Sequence, residues 1–256
     1  MLSDTARLVA EGLGAAGALG LAAGGWAYAA LYPTSQLFGP TLVLPERLGE
    51  IALTFDDGPN PACTPRLLDM LAAHAVTATF FLVGQYAEAE PCLTRHIADS
   101  GHIIGNHSWS HPNMALSSRK KIRDELYRTK HALEQITGTS VRYFRPPFGA
   151  RRPAVLDEAR QLGMSPVLWN AMTEDWEEPS ADQIAERLAR KVDALGRGGR
   201  SATVVLHDGG HLDPSAARGP SVAAAEKLMG RYSGVRRFVT AEYLQWGPTP
   251  IAARAR

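Results

Sequence analysis

From Pro45 onward, short runs rich in β-branched and aromatic residues alternate with amphipathic stretches of helical period. The runs predict strands, and the stretches, several of which begin at Ser, Thr or Pro and end near Gly, predict helices. The predicted strands are residues 51–55, 77–83, 102–105, 141–144, 166–169, 202–206 and 237–240. The predicted helices are residues 64–74, 88–100, 117–137, 153–162, 180–195 and 221–230. This alternation predicts an α/β fold in which about seven parallel strands form a closed or nearly closed (β/α) barrel.

The segment before this pattern is apolar and uncharged. No Asp, Glu, Lys or Arg lies between Glu11 and Glu46, and residues 13–32 would form a helix of roughly 30 Å, enough to cross a bilayer. Three interpretations stay open: an uncleaved signal anchor, a signal peptide cut after residues 27–29, and an Ala- and Gly-rich helix packed in a soluble protein. We favour the first two, and thus a membrane-anchored or secreted, extracytoplasmic protein. The predicted division is an N-terminal segment with its linker, residues 1–45, and one domain, residues 46–256.

Composition narrows the classes of function. The 256 residues suit one domain with a sizeable core, and a formal net charge of +1 gives no reason to expect a nucleic acid partner. Apolar and charged residues occur at ordinary globular levels, 45% and 21%, which excludes disordered and fibrous classes. Cys63 and Cys92 lack the CxxC spacing of a zinc ribbon, and whether they pair with each other stays open.

The polar clusters that could carry chemistry share one position in the predicted fold. Each lies at or soon after the C-terminal end of a predicted strand, and in a (β/α) barrel those ends form the catalytic face. The clusters are Asp56 with Asp57, Asn106 with His107, Arg145, Asp175 with Trp176, and His207 with Asp208. Their placement predicts an enzyme.

One candidate metal site combines three of these residues. His107 and His111 are four residues apart, a spacing that on a helical turn places both imidazoles on one face. Asp57 would complete a His-His-Asp set with open positions for water and a substrate oxygen, as in catalytic metal sites. The side chain of Asp56 would point in a different direction and face the substrate or water. We expect the other histidines, His211 among them, to be mostly surface or packing residues.

Two further clusters favour hydrolytic chemistry. Arg145 precedes two prolines that restrict the chain, so its guanidinium could hold a carboxylate while the loop directs a backbone N–H at an oxyanion. His207 lies beside a carboxylate in the sequence, and such a neighbour can keep an imidazole protonated enough to act as a general acid.

The segments TFDDGP, HSWSHP, RPPFG, EDW and VLHD together resemble the motifs of the polysaccharide deacetylase family, also called NodB-homology or carbohydrate esterase family 4. They occur in the family's order over residues 51–208. The resemblance implies a distorted, incomplete (β/α) barrel that removes N-acetyl groups from amino sugars of a polysaccharide. It also implies a divalent metal cofactor, most commonly zinc although other transition metals can serve, and an N-acetylated glycan as the substrate.

The resemblance assigns the metal and the base of the reaction. It implies that Asp57, His107 and His111 hold the metal. It implies that Asp56 is the general base that activates the attacking water, and that Arg145 orients this base.

The same resemblance assigns the acid and the substrate pocket. It implies that His207 is the general acid, tuned by Asp175, and that the backbone N–H of Phe148 stabilises the oxyanion. Trp176 and Leu206 would line the small pocket for the acetyl methyl group.

Two positions depart from the family's pattern, since Met172 stands where an Asp is usual and Phe148 where a Tyr is usual. Three rival functions stay open: a deacylase or deformylase of a lipid-linked amino sugar, a catalytically silent carbohydrate-binding module, and an intracellular amidase for a small non-sugar amide.

Overall fold

The computed structural model describes residues 24–45, 47–177 and 180–246 as a parallel sheet with helices packed on its outer face. The strands are β1 (Leu42–Pro45), β2 (Ile51–Gly58), β3 (Thr79–Leu82), β4 (Ile103–Asn106), β5 (Tyr143–Phe144), β6 (Ser165–Pro166), β7 (Ala171–Met172), β8 (Ala202–His207), β9 (Phe238–Val239) and β10 (Leu244–Trp246). The helices are α1, described over residues 24–31, α2 (Thr64–Ala73), α3 (Gly84–Ala89), α4 (Pro91–Asp99), α5 (Arg119–Thr137), α6 (Pro153–Gln161), α7 (Ala181–Arg197) and α8 (Gly219–Tyr232).

Seven parallel strands form a curled sheet in the order β6-β5-β4-β3-β2-β8-β7. Within the described residues β6 pairs only with β5 and β7 only with β8, so the barrel stays open between these two edges. Strand β1 lies along the opening, where Leu42 O accepts a hydrogen bond from Leu168 N and Val43 O accepts one from Thr203 Oγ1. The distorted, incomplete barrel expected from the sequence is confirmed.

The central strand β2 is buried along its whole length, as expected for a parallel strand covered on both faces. Successive side chains of β2 point alternately to the helices outside the sheet and to the interior of the barrel. Leu53 and Phe55 join the main hydrophobic core between sheet and helices, whereas Thr54 and Asp56 face the barrel interior and bind the guanidinium of Arg145. On this part of β2 the polar side chains therefore face the inside of the barrel and the apolar ones face the helices.

Some elements differ from the sequence prediction. The predicted helix 88–100 is two helices, α3 and α4, because Pro91 begins a new helix at its first turn. Strands β1, β7 and β10 were missed, and β7 has only two residues, too few for a periodic signal. Cys63 is buried, Cys92 is exposed, and they do not pair.

The described part of the N-terminal segment packs on the domain. Ala29 and Ala30, at the end of α1, are 2% and 1% exposed, and Thr41 is fully buried. Residues 13–23 of the predicted membrane segment lie outside the described residues, and none of the described helices is long and apolar enough to span a bilayer. The division of the chain at residue 45 stays a prediction.

The close packing of β3 on β4 gives a test of the fold. A methyl group at Gly105 would overlap the ring of Phe81, so Gly105→Ala is expected to lower the free energy of unfolding by about 1–3 kcal/mol. Urea unfolding followed by circular dichroism measures the change. The control is Gly230→Ala on the exposed side of α8, where nothing lies within 4 Å and better helix propensity should raise stability slightly. Equal midpoints for Gly105→Ala and the wild type would contradict this packing.

Candidate active site

A cavity of about 320 Å³ opens where the strands of the parallel sheet end. Parallel strands direct their C-terminal ends to one edge, so residues distant in sequence meet there. The lining residues come from the ends of β2, β4, β5, β6, β7 and β8 and the loops that follow. They are Asp56, Asp57, His107, His111, Pro146, Phe148, Gly149, Trp169, Met172, Trp176, Val205, His207, His211 and Arg218.

Three buried side chains in this cavity could hold a metal ion. Asp57 Oδ1 lies 3.3 Å from Nε2 of His107 and 3.1 Å from Nε2 of His111, and one ligand atom from each residue lies within 4.8 Å of the others. Neither contact is a well-directed hydrogen bond, so this buried oxygen has no donor among the described residues. Burial would raise the pKa of Asp57, but the two imidazoles hold this pKa well below its usual value. An ionised oxygen and two imidazole nitrogens around one point fit a divalent cation.

The imidazole of His107 is oriented by a backbone carbonyl. Its Nδ1 lies 2.8 Å from the carbonyl oxygen of Arg145, which can only accept a hydrogen bond. The proton is therefore on Nδ1, and Nε2 presents its lone pair to the side of the cavity where Asp57 lies. A metal-ligating histidine needs this tautomer.

The loop that carries His111 is not helical, so the helical turn expected from the His107–His111 spacing is wrong. The chain turns instead through positive φ angles at Ser108 (68°) and His111 (54°). Glu125 of α5 supports this turn because its Oε2 accepts hydrogen bonds of 2.8 Å from both N–H groups of residues 109 and 110. Ser108 Oγ accepts another from the N–H of His111. The two imidazoles meet through loop geometry and not through helical period.

Asp56 is held by a buried guanidinium. Arg145 is fully buried, and its Nη1 donates to Asp56 Oδ1 and to Thr54 Oγ1, both at 2.7 Å. Burial lowers the pKa of Arg145, whereas the charge of Asp56 opposes this change. The second oxygen of Asp56, Oδ2, lies 3.9 Å from Nε2 of His107. One oxygen is therefore fixed, and the other lies beside the candidate metal site.

His207 is bound to Asp175 at two points. Asp175 Oδ1 lies 2.7 Å from Nδ1 of His207, while Oδ2 accepts from the His207 backbone N–H at 2.8 Å and from Ser221 Oγ at 2.7 Å. Burial would lower the pKa of His207, but the carboxylates of Asp175, Asp57 and Asp56 raise it to about 9. The register pairs His207 on β8 with Asp56 on the neighbouring strand β2. An imidazolium at neutral pH and a carboxylate therefore lie side by side at the cavity.

The loop after β5 brings a free backbone donor to the cavity. Phe148 has a φ of 59°, and its N–H has no acceptor among the described residues. Gly149 also has a positive φ, and a methyl group there would lie 2.8 Å from the ring of Trp169. The ring of Phe148 is half-exposed and meets His111 edge to face at 4.6 Å, while the half-exposed Trp176 meets His207 at 5.1 Å.

The pocket role expected for Leu206 is wrong. Leu206 is fully buried in the core between sheet and helices, and its neighbour Val205, on the other face of β8, lines the cavity. Strict alternation from His207 would have identified Val205. His211, which was expected to be mostly a surface or packing residue, lies 4.8 Å from the ring of His111.

Sequence reasoning also did not place Trp169, Met172 or Arg218 in the cavity. Trp169 is the last residue of a predicted strand. Its position at a strand end could have identified it as a cavity residue, because the strand ends of such a barrel form the site. Met172 and Arg218 belong to elements whose bounds the sequence did not predict, namely β7 and the loop before α8.

Comparison with known proteins identifies a matching family model and several similar proteins. A family model described as polysaccharide deacetylase matches residues 45–167. The peptidoglycan-N-acetylglucosamine deacetylase of Bacillus cereus is 37% identical over 199 residues, which are 77% of this chain and 68% of that protein. The chitooligosaccharide deacetylase of Azorhizobium caulinodans is 32% identical over 71% of this chain and 84% of its own length.

A solved structure gives a similar fold. The crystal structure of a CE4 family pseudoenzyme from Bacillus anthracis has a TM-score of 0.69 and 28% identity, and the match covers 80% of this chain and 68% of that one. The relatives thus include both enzymes and a protein described as a pseudoenzyme, so the residues present in the cavity of this chain matter for its function.

The geometry of the three candidate ligands predicts one divalent ion per chain. His107→Ala removes one nitrogen ligand and is expected to lose the metal. Glu125→Gln keeps all three ligands but weakens the acceptor that supports the His111 loop, so metal affinity should fall roughly 10- to 100-fold. Zinc titration after chelator treatment measures both effects.

The control for this titration is Glu226→Gln, a change of the same type on the exposed side of α8, which should bind zinc as the wild type does. Full metal content in His107→Ala would contradict the ligand set, and an unchanged affinity in Glu125→Gln would contradict the supporting role of that carboxylate.

Proposed function

The chain belongs to the polysaccharide deacetylase family, and on this basis we propose that it hydrolyses the N-acetyl amide of amino sugars in a glycan. One observation carries the proposal: the candidate metal ligands, a carboxylate held by an arginine, and a protonated histidine all line the same cavity. Each is a component that amide hydrolysis requires, namely an activated water, a base and an acid.

The residues present fit the metal that this family's chemistry uses. We propose that Asp57, His107 and His111 hold zinc, since two imidazoles and one carboxylate with remaining open positions are typical of catalytic zinc sites. When bound there, the ion would lower the pKa of a water to about 7 and polarise the acetamide carbonyl.

Asp56 is proposed as the general base. Its Oδ1 is occupied by Arg145, and its Oδ2 lies beside His107, where a water next to the three ligands would be within reach. The guanidinium thus fixes the rotamer of the carboxylate and leaves one oxygen to take the proton of that water. The side chain of Arg145 is proposed to act on the reaction only through Asp56.

His207 is proposed as the general acid that protonates the departing amine. Its Nδ1 is engaged by Asp175, so Nε2 is the nitrogen that can donate to the substrate. A free amine is a poor leaving group unless it is protonated, and the raised pKa keeps His207 charged at neutral pH. The free N–H of Phe148 would meanwhile bind the carbonyl oxygen as it gains negative charge.

The rim of the cavity suits a sugar. Phe148 and Trp176 expose about half of their side chains beside the candidate metal ligands, where each offers an aromatic face to an apolar sugar ring surface. We propose that Trp176, together with Val205 and Met172, surrounds the acetyl methyl group. The named relatives act on peptidoglycan and chitooligosaccharides, and an N-acetylated glycan of this class is the proposed substrate.

Peptidoglycan lies outside the cytoplasm, and because this chain is similar to a peptidoglycan-N-acetylglucosamine deacetylase we propose that it acts there. The uncharged residues 13–32 are consistent with export or anchoring, and membrane association through them stays a prediction.

A catalytically silent carbohydrate-binding module is the second candidate, because one structural neighbour is described as a pseudoenzyme. The presence of the base, the three ligands and the acid in one cavity supports an active enzyme instead.

Acetate release decides between these candidates. Purified, zinc-loaded wild type is expected to release acetate from an N-acetylated chito-oligosaccharide, and a chelator should abolish this release until zinc is returned. Asp56→Asn should keep its zinc but lose roughly two or more orders of magnitude in kcat, because Asn cannot take a proton. The exposed Asp99→Asn is the control and should match the wild type.

Each contrary outcome has a distinct meaning. No acetate with zinc bound would favour a lipid-linked amino sugar or another amide as the substrate. No bound metal would favour the silent module, and full activity of Asp56→Asn would contradict the assignment of the base.

The pH profile tests the acid. Because His207 must be protonated to act, kcat should fall as pH rises through its pKa of about 9. Asp175→Asn removes the main charge that raises this pKa, so the alkaline limb should move toward the ordinary value near pH 6.5. The matched control is Glu174→Gln, an exposed neighbour that does not contact His207 in the structure, and its alkaline limb should stay in place. An unmoved limb in Asp175→Asn would contradict this role for the pair.

A further inference from the structure

A second fully buried arginine, Arg151, lies at the end of the loop that carries Phe148. It is 1% exposed, and no ion pair with an acidic side chain involves it within residues 24–45, 47–177 and 180–246. Burial lowers its pKa to about 10, so it stays protonated at neutral pH. A buried charge without a counter-ion is costly unless hydrogen bonds replace its water. The acceptors of this guanidinium therefore reveal what it stabilises.

All acceptors of Arg151 are backbone carbonyls, and they come from two separate parts of the chain. Nη2 donates to Tyr32 O at 2.7 Å and to Ser35 O at 2.9 Å. Nη1 donates to Gly149 O at 3.1 Å and to Ala30 O at 3.4 Å, and the backbone N–H of Arg151 also donates to Ala30 O, at 3.0 Å. We name this set of contacts the Arg151 clamp.

On one side, the clamp caps the C-terminal end of α1 by donating hydrogen bonds to the carbonyls of Ala30 and Tyr32. The last carbonyls of a helix have no partner within the helix, and the negative end of its dipole favours a cation. Arg151 supplies both the donors and the charge. The burial of Ala29 and Ala30 beside exposed Leu31 and Tyr32 agrees with a segment that is fixed on the domain by one face.

On the other side, the clamp holds a strained loop. Phe148 and Gly149 are consecutive residues with positive φ, at 59° and 65°, and this conformation is unfavourable for Phe. Such backbone persists only when its surroundings fix it. Before Phe148, Arg145 is bound to Asp56, and after it the carbonyl of Gly149 is bound to Arg151. Along the chain, Phe148 thus lies between two buried arginines, each of which is held by hydrogen bonds.

We propose that Arg151 is a positioning residue of the reaction, which ties residues 30–35 to Gly149 and thereby holds the Phe148 N–H where the substrate carbonyl oxygen must bind. The N-terminal segment is then part of the active-site scaffold and not only a leader or tether. This inference rests on the proposed role of Phe148, and its test therefore includes a measurement that needs no substrate.

The chain offers a matched control for the clamp. Arg160 of α6 also donates to a carbonyl of the N-terminal segment, that of Pro40, at 2.7 Å. It does not contact the Phe148 loop. Arg160→Ala therefore removes an attachment of the same chemical kind without touching the loop.

The experiment compares full-length, zinc-loaded wild type, Arg151→Met, Arg151→Lys and Arg160→Ala. Amide hydrogen exchange is followed at the hydrogen-bonded N–H groups of Gly149 and Ala150 and in residues 30–37, and kcat, KM and zinc content are measured in parallel. In Arg151→Met, exchange should rise in both regions together, and kcat should fall roughly 10- to 100-fold with KM and zinc content unchanged. Arg151→Lys, which keeps the charge but has no fork of donors, should lie between.

Arg160→Ala should leave exchange at Gly149 and Ala150, and kcat, at the wild-type level. The proposal is overturned if Arg151→Met increases exchange in residues 30–37 but not at Gly149 and Ala150, or if its kcat is unchanged. If Arg151→Met does not fold, Arg151→Lys provides the same comparison. A wild type without deacetylase activity would contradict the proposed function, whereas the exchange data would still decide whether the clamp orders the loop.

Discussion

The buried guanidinium of Arg145 is the interaction on which the site depends. Its Nη1 binds Asp56 and Thr54 of β2, while its Nε and Nη2 donate to the carbonyls of Val167 and Leu168 beyond β6. Its own carbonyl orients His107. One residue thus links the central strand, the open edge of the barrel and a candidate metal ligand. Because burying such a charge without partners costs several kcal/mol, these contacts stabilise the fold as well as the site.

Backbone strain is concentrated at the strand ends and loops around the cavity. Among the described residues other than glycine, positive φ angles occur at Asp57, Ser108, His111 and Phe148 in the site, and at Ala75 elsewhere. Each costs on the order of 1 kcal/mol or more, and the four in the site lie at or shortly after the C-terminal end of a parallel strand. These backbone conformations direct the side chains of Asp57 and His111 and the N–H of Phe148 toward the cavity.

Some site residues could be predicted from local sequence patterns, whereas others depend on contacts with distant parts of the chain. The expectation that Asp56, His107 and His207 lie at one edge follows from their position after strands, because parallel strands end together. The helical turn at 107–111 was wrong, because its geometry comes from Glu125 on a different element. Leu206 was assigned to the cavity although the alternation of β8 from His207 places Val205 there. The alternation of side chains along a strand separates its two faces. It shows which face lines the cavity only when one residue of that strand is already known to lie there.

The sequence by itself determined the α/β class, the edge of the sheet where the candidate site lies, and the residue types of the proposed base, the proposed acid and the three candidate ligands. The fold class and the edge follow from strand period and turn residues, whereas the roles within the site follow from the resemblance of five short motifs to a known family. Only the tertiary structure decided which buried arginine contacts which carbonyl, as when Arg151 reaches Ala30 across 121 positions of the chain. The physical reason is that a buried charge takes its partners from whatever backbone the fold brings near it, and no local pattern records that choice.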